Sequence, residues 1–203
     1  MGLESFASIA VFCSEFIATP RSVGSLIPSS GRLARRIAKQ VPASEDGLIV
    51  ELGAGTGAIT EALLARLDNP QRLVCVECSP VLADRLRKRF PEILVIEGDA
   101  MHLDKLLYER LGKDVRVGHI VSSLPLRSLA PICVRKISQQ VHRLLPPNGH
   151  YIQFTYHMAD PGNDAPSGFR RLGFSRVWGN LPPARVDVFI PKRCGNQSYA
   201  SAA

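Results

Sequence analysis

Short apolar runs alternate with helix-spaced apolar positions along most of the chain. From Gly47 onward, runs rich in β-branched residues predict five strands, at 48–52, 73–77, 93–96, 119–122 and 151–156. Apolar residues recurring every three or four positions predict helices between them, at 58–67, 80–90, 101–111 and 129–144. This alternation is typical of an α/β protein in which helices cover a mostly parallel sheet.

The end of the chain has a different pattern. Two further strands are predicted at 174–178 and 186–190, and the link between them contains Asn180-Leu181-Pro182-Pro183. Because this link is too short for a crossover helix, the two strands should form an antiparallel hairpin. The predicted sheet therefore has seven strands and ends in a hairpin, and we expect Trp178 to lie in the core.

The first 45 residues predict a helical lead-in. Apolar positions from Phe6 to Ile17 are spaced as in an amphipathic helix that ends before Pro20. A second helix should begin at Ser29 or Ser30, which can cap it, and run to about Gln40. Four cations, here called the basic stripe, lie on one side of this helix: Arg32, Arg35, Arg36 and Lys39. The predicted organisation is thus lead-in 1–45, core domain 46–191 and flexible tail 192–203.

The charge balance favours anionic partners. The 203 residues include 25 Lys and Arg against 18 Asp and Glu, a net charge of +7. Residues 1–40 hold five basic and two acidic residues. No segment predicts a signal peptide or a membrane-spanning helix. The five cysteines are scattered, which favours a reducing compartment. The Cys75-x-x-Cys78 pair has no second ligand pair, so we expect no metal site.

The most specific local motif is a glycine-rich loop where the first strand meets the first helix. It reads Glu51-Leu52-Gly53-Ala54-Gly55-Thr56-Gly57. Glycines allow a ligand close to the backbone, and a helix N-terminus offers free N–H groups to an anion. The spacing G-x-G-x-G differs from the G-x-G-x-x-G of dinucleotide-binding folds.

Carboxylates follow the next two strands. Glu77 ends the second strand and can accept the two hydroxyls of a ribose. Gly98-Asp99-Ala100 follows the third strand, where a carboxylate can accept an adenine amino hydrogen and a backbone N–H can serve a ring nitrogen. Three successive strand ends thus supply three complementary functions.

With these residues, segment 47–190 resembles the class I S-adenosylmethionine-dependent methyltransferases, a Rossmann-like fold whose sheet also ends in an antiparallel hairpin. The resemblance implies that the glycine loop and Glu51 hold the methionine end, Glu77 the ribose and Asp99 the adenine. It predicts a set of cofactor-binding residues: Glu51, Gly53, Ala54, Gly55, Gly57, Glu77, Cys78, Asp99, Ala100, Ser122 and Ser30.

A narrower resemblance covers nearly the whole chain. Segments 16–20, 23–30, 122–126 and 153–156 are similar to those of the soluble bacterial phospholipid N-methyltransferases. That family converts phosphatidylethanolamine stepwise towards phosphatidylcholine. The resemblance implies an anionic membrane surface and phosphatidylethanolamine as partners, and a cytoplasmic enzyme associated with the inner face of the membrane. The basic stripe would then face lipid headgroups, or the lead-in helices would only cover the cofactor.

Methylation of an amine requires that a proton leave first, because an ammonium has no lone pair. A desolvated pocket or a nearby acceptor favours the neutral amine. The candidate catalytic residues are Tyr156 and His157 at the end of the fifth strand, and Ser123 and Pro125 after the fourth, where the backbone carbonyls of 122–124 are further candidate acceptors. Tyr156 can equally be a half-buried strand aromatic, and His157 a solvated loop residue.

Three other functions stay open. An rRNA adenine N6-dimethylase-like enzyme would share Ser123-Leu124-Pro125, but Leu126 stands where those enzymes need an aromatic residue for base stacking. Nucleic acid is therefore a less favoured partner. A methyltransferase of a small molecule or a protein, and a catalytically silent binding module, are the remaining alternatives.

Overall fold

The computed structural model describes residues 31–42, 47–159 and 165–192. The strands are β1 (Leu48–Leu52), β2 (Leu73–Glu77), β3 (Leu94–Glu97), β4 (Val117–Ser122), β5 (His150–Thr155), β6 (Phe169–Val177) and β7 (Ala184–Pro191). The helices are α1 (Gly31–Ala38), α2 (Ala58–Leu64), α3 (Pro80–Arg89), α4 (Leu103–Leu111) and α5 (Pro131–Leu144). The predicted first helix and Ser30 lie outside the described residues.

All seven strands form one sheet in the order β3-β2-β1-β4-β5-β7-β6. Strands β1 to β5 are parallel, whereas β7 is antiparallel to both β5 and β6. The predicted mostly parallel sheet with a terminal antiparallel hairpin is therefore confirmed. Because Thr155 pairs with Arg185, the turn between β6 and β7 lies at the edge where β1 to β5 end. We call this the carboxyl edge.

Two apolar layers form the core, one on each face of the sheet. Helices α1, α2 and α3 pack on one face, with Leu33, Leu63 and Leu86 almost fully buried. Helices α4 and α5 pack on the other face, which buries Leu107 and Ile137. Strand side chains alternate between the two layers, as the pleat requires.

Helix α1 crosses one face of the sheet from edge to edge. Its first turn lies at the carboxyl edge, because a Cβ on Gly179, in the β6–β7 turn, would stand 2.5 Å from Nη1 of Arg32. At the opposite edge, the carbonyl oxygen of Gln40 lies 3.3 Å from Nδ1 of His150. The basic stripe is exposed along this path. In the described part of the chain, no helix has the length and apolar character needed to cross a membrane.

Several element boundaries differ from the predictions for local physical reasons. Helix α5 begins at Pro131 rather than 129, because proline suits the first helical turn. Helix α4 begins at Leu103, since the Asp99 carboxylate caps a short 3₁₀ turn that precedes it. Helix α2 ends at Leu64 instead of 67.

The hairpin differs most from its prediction. Strand β6 begins at Phe169, five residues earlier than predicted. It is an edge strand with exposed positions and a register shift before Gly173, so the apolar pattern of the sequence does not mark its first residues. The prediction that Trp178 lies in the core is wrong: the strand ends at Val177, and Trp178 is 71% exposed.

Candidate active site

The glycine loop after β1 requires its glycines for backbone conformation and for space. Gly53, Gly55 and Gly57 have φ angles of 70°, 58° and 83°, a region that side chains disfavour. A Cβ on Gly57 would also lie 2.5 Å from the Phe90 ring, and one on Gly53 would lie 2.8 Å from Leu124. The loop can therefore fold tightly against α3 and the chain after β4 only because these positions lack side chains.

Glu77 joins the glycine loop to the end of β2. Its Oε2 accepts a hydrogen bond from the Gly55 N–H at 2.9 Å, and its Oε1 accepts one from the Ser79 N–H at 2.9 Å. The thiol of Cys78 lies 3.7 Å from Oε1. Glu77 is 3% exposed, so hydrogen bonds from backbone N–H groups at the carboxyl edge, rather than water, stabilise its carboxylate.

Asp99 follows β3 and faces a cleft at the same edge. Its Oδ1 accepts a hydrogen bond from the Met101 N–H at 2.8 Å. The cleft walls are mostly apolar and come from four strand ends and α5. They are Gly53, Val76, Cys78, Gly98, Asp99, Ala100, Leu124, Pro125, Leu129 and Ile137. The structure thus brings four predicted cofactor residues, Gly53, Cys78, Asp99 and Ala100, together with the predicted catalytic Pro125.

Glu51 points to the other face of the sheet. Its Oε2 accepts hydrogen bonds from the Thr60 hydroxyl at 2.7 Å and from the Cys75 thiol at 3.4 Å. Burial is the main cause that raises the pKa of Glu51 to about 7. Its Oε1 is buried with no hydrogen-bond partner among the described residues. The methionine-end contact implied for Glu51 stays a prediction, since this side chain does not line the cleft.

Sequence reasoning missed the two partners of Glu51, Thr60 and Cys75. Burial and the Glu51 charge keep the pKa of the Cys75 thiol well above its usual range, so it stays protonated and donates to the carboxylate. Cys75 and Cys78 therefore contact different carboxylates. The residues that the structure describes include no group of three or more His, Cys, Asp or Glu placed to hold a metal.

The chain after β4 forms the other side of the cleft and is held by β5. The amide nitrogen of Gln153 donates to the carbonyl oxygens of Leu124 at 3.0 Å and Phe154 at 2.8 Å. The Tyr151 hydroxyl donates to the Gln153 amide oxygen at 3.1 Å. Sequence reasoning did not assign Gln153 to the site. Gln153 lies near the end of β5 and pairs with Ser122 in the sheet register. This position close to the carboxyl edge is the feature that could have identified it as a site residue.

The predicted catalytic residues occupy different surroundings. The Ser123 Oγ is buried and has no hydrogen-bond partner among the described residues. Tyr156 is half-buried and packs edge-to-face on Phe154, with ring centroids 5.6 Å apart, against the α1–α3 layer. His157 is exposed, and its N–H donates to the Thr155 hydroxyl. Of the predicted catalytic side chains, Ser123 is the one that the structure buries with a polar atom that makes no hydrogen bond to a described residue.

The cleft fits the chemistry of S-adenosylmethionine. Asp99, just after β3, can accept an amino hydrogen and lines the cleft beside apolar walls suited to a purine. Glu77, which can accept hydroxyl hydrogens, ends β2 next to Cys78 of the cleft wall. The glycine loop allows close approach to backbone N–H groups at the start of α2. These residues could hold the cofactor at the carboxyl edge, between the glycine loop and the chain after β4.

Comparisons with known proteins agree with this geometry. A family model described as a methyltransferase domain matches residues 49–149. An ornithine lipid N-methyltransferase from Singulisphaera acidiphila is 33% identical over 148 residues, which are 71% of this chain and 76% of that protein. The ribosomal RNA small subunit methyltransferase A of Bordetella avium is 37% identical over 98 residues, but these cover 47% of this chain and 34% of that enzyme.

A solved structure extends the likeness to the whole fold. The glycopeptide N-methyltransferase MtfA, complexed with S-adenosylhomocysteine, superposes with a TM-score of 0.59 at 18% identity. The superposition covers 87% of this chain and 98% of that one. Together with the glycine loop and the strand-end carboxylates, these matches define the family. The chain belongs to the S-adenosylmethionine-dependent methyltransferases.

Proposed function

We propose that the chain is a lipid N-methyltransferase that methylates phosphatidylethanolamine and its methylated forms towards phosphatidylcholine. The reaction takes place at an anionic membrane surface on the cytoplasmic side. One observation carries the assignment to lipid N-methylation: the 148-residue likeness to an ornithine lipid N-methyltransferase. The choice of phosphatidylethanolamine rests on the similarity of segments 16–20, 23–30, 122–126 and 153–156 to the phospholipid N-methyltransferases. The family model matches only residues 49–149, so the longer likeness extends into sequence that the general domain does not include.

The acceptor amine must be neutral before it can react. An ethanolamine ammonium should have a pKa near that of Lys, about 10, so at neutral pH most of it carries a proton. The apolar part of the cleft wall, Leu124, Pro125 and Leu129, disfavours the charged form by desolvation. The proton can then leave to solvent, since Pro125 and Leu129 are only half-buried.

Ser123 is the side chain best placed to orient the amine. The Ser123 Oγ is buried and has no other hydrogen-bond partner among the described residues. In the sequence, Ser123 directly precedes Leu124 and Pro125, which line the cleft. A hydroxyl oxygen in this position can accept an N–H hydrogen bond and leave the nitrogen lone pair free. Gln153 fixes the adjoining backbone, because it holds the Leu124 carbonyl.

The cofactor side is assigned to a separate group of residues. Glu77 would hold the ribose, Asp99 the adenine amino group, and the loop from Gly53 to Gly57 the methionine end. When bound, S-adenosylmethionine supplies an electrophilic methyl group on a sulfonium. The chain contributes position and the exclusion of water, which can lower a displacement barrier by several kcal/mol.

An ornithine lipid is the second candidate acceptor. It is favoured by the relative from Singulisphaera acidiphila, whose name states that substrate. Both lipids present a primary amine at a membrane surface, so the same Ser123 hydroxyl would serve either one.

Methylation of rRNA is less well supported. The likeness to the rRNA enzyme covers 34% of that protein, and Leu126 packs its aliphatic side chain on the core where a stacking aromatic would be needed. Label in RNA is therefore the outcome that would overturn the lipid proposal.

The test is a methyl-transfer assay with labelled cofactor and four acceptors kept separate. These are phosphatidylethanolamine vesicles, ornithine lipid vesicles, total RNA and a soluble amine. We expect label in phosphatidylethanolamine. Label in ornithine lipid alone would identify ornithine lipid, the second candidate, as the acceptor. Label only in RNA or in the soluble amine would refute lipid methylation.

A matched pair of variants tests Ser123. Ser123→Ala should lower lipid methylation about tenfold or more, the effect of one hydrogen bond to a reacting group. Binding of S-adenosylhomocysteine should stay at the wild-type level. Ser128→Ala is the control, because Ser128 is exposed in the same connection. Equal activity of the two variants would contradict the role of Ser123.

A further inference from the structure

The turn between β6 and β7 projects apolar side chains at the carboxyl edge. Trp178 is 71% exposed and Leu181 is 67% exposed. They are the two most exposed large apolar side chains among the described residues. Burying such residues in a core is the usual outcome of folding, so two of them together on one turn indicate a surface that becomes covered.

The turn holds these side chains outward in a fixed conformation. Asn180, between them, is 4% exposed, and its side-chain nitrogen donates to the Pro182 carbonyl at 2.7 Å. Its N–H also donates to the Val177 carbonyl at 3.3 Å. Because the turn is already ordered by these bonds, docking it would cost little conformational entropy.

Cations surround the apolar tip. Arg32 of the basic stripe lies against Gly179, and the Arg36 Nε donates to the Ser175 hydroxyl at 3.1 Å. On the other face of β6, the Arg176 guanidinium lies over the Phe174 ring, 5.1 Å from its centroid. Arg170 and Arg171 lie in the part of β6 far from the turn, and Arg171 is paired with Asp187. The turn is therefore an apolar tip flanked by three cations, Arg32, Arg36 and Arg176.

This arrangement matches an anionic lipid surface better than a protein groove. Tryptophan is favoured at membrane interfaces, where its ring is apolar and its N–H stays hydrated. Each Lys or Arg near an anionic leaflet adds about 1 kcal/mol of attraction. An apolar tip flanked by cations combines both contributions.

We propose that the β6–β7 turn docks the enzyme on anionic phospholipid. Trp178 and Leu181 enter the boundary between headgroups and acyl chains, while Arg32 and Arg176 contact phosphates. This inference rests on the proposed function, in which the methyl acceptor is a membrane lipid. Docking by this turn brings the carboxyl edge, and with it Ser123 and the cofactor cleft, to the level of the headgroups.

The sequence contains a single tryptophan, so intrinsic fluorescence reports this turn directly. The wild-type protein is titrated with vesicles of phosphatidylethanolamine and phosphatidylglycerol, and in parallel with vesicles of phosphatidylcholine alone. We expect a blue shift and protection from an aqueous quencher with the anionic vesicles. Co-sedimentation without a change in Trp178 emission would overturn the proposal, because another surface would then bind the lipid.

A double variant and a matched control measure the contribution of the tip. Trp178→Ser with Leu181→Ser should weaken binding to anionic vesicles at least about tenfold, since burial of a Trp and a Leu side chain is lost. Leu111→Ser should bind like the wild type, because Leu111 is 40% exposed at the end of α4, at the opposite edge. Calorimetry with S-adenosylhomocysteine establishes that both proteins are folded.

The outcomes separate this inference from the proposed function. Vesicle binding through Trp178 without lipid methylation would refute the acceptor and support the docking surface. Lipid methylation without a change in Trp178 emission would support the proposed acceptor and refute the docking surface. A blue shift that appears on raising the protein concentration without lipid would indicate a second copy of the chain on this surface, and would overturn the proposal.

Discussion

Replacing Glu51 by Gln should change how the free energy of unfolding depends on pH. In the folded protein burial raises the pKa of Glu51 from 4.5 to about 7. A difference of about 2.5 pKa units corresponds to about 3 kcal/mol. The protonated carboxyl is the form that the fold favours, so this stabilisation is complete below about pH 4.5 and is lost as the pH rises through about 7.

Glutamine does not ionise, so the variant should lack this loss. The free energy of unfolding of Glu51→Gln minus that of the wild type should therefore rise by about 3 kcal/mol between about pH 4 and about pH 8. Urea unfolding without cofactor, at several pH values, measures it. Other carboxyl groups cancel in the difference. A difference that does not change with pH would refute the reasoning that Glu51 is buried without a compensating charge.

Three other perturbations have definite outcomes. Glu77→Gln should weaken binding of S-adenosylhomocysteine in calorimetry about tenfold or more, because a neutral amide would replace the charged acceptor assigned to the ribose hydroxyls, and its NH₂ would also face the Gly55 or Ser79 N–H. Glu97→Gln, its exposed register partner on β3, should bind like the wild type, and equal affinities would refute the ribose assignment. Gly57→Ala should lower the free energy of unfolding about 1–3 kcal/mol more than Gly55→Ala, since both glycines have positive φ but only a Cβ at Gly57 would meet Phe90; equal losses in thermal unfolding without cofactor would refute the clash. Replacing the whole basic stripe by Ser should reduce co-sedimentation with anionic vesicles, and unchanged sedimentation would show that these cations do not face lipid.

The strand ends could be predicted from sequence because the pattern of a parallel sheet fixes them. Once β1, β2 and β3 are recognised as neighbours, their carboxyl ends must lie at one edge, which brings Glu77 and Asp99 near the glycine loop. The hairpin followed from the length of its link. These conclusions depend on order along the chain and on the period of two, both of which are visible in the sequence.

Contacts between elements distant in sequence could not be predicted in the same way. Thr60 and Cys75 surround Glu51 because α2 packs on the face of β1 to which Glu51 points, and Cys75, the register partner of Glu51 on the neighbouring strand β2, points to the same face. Trp178 ends a predicted strand, and the sequence alone predicts a core position for it. Its exposure follows from the buried side chain of Asn180, which directs the turn outward, and a propensity argument contains no such information.

The strand order separates two tasks within one sheet. The carboxylates assigned to the cofactor stand on β2 and β3, and the apolar turn joins β6 and β7, at the other end of the sheet. A change in the length or sequence of that turn leaves the cofactor-facing residues in place. Exchange of residues 178–183 between related enzymes is thus a route to direct one catalytic core to another surface. The residues assigned to catalysis and those proposed to bind the surface belong to different parts of the chain.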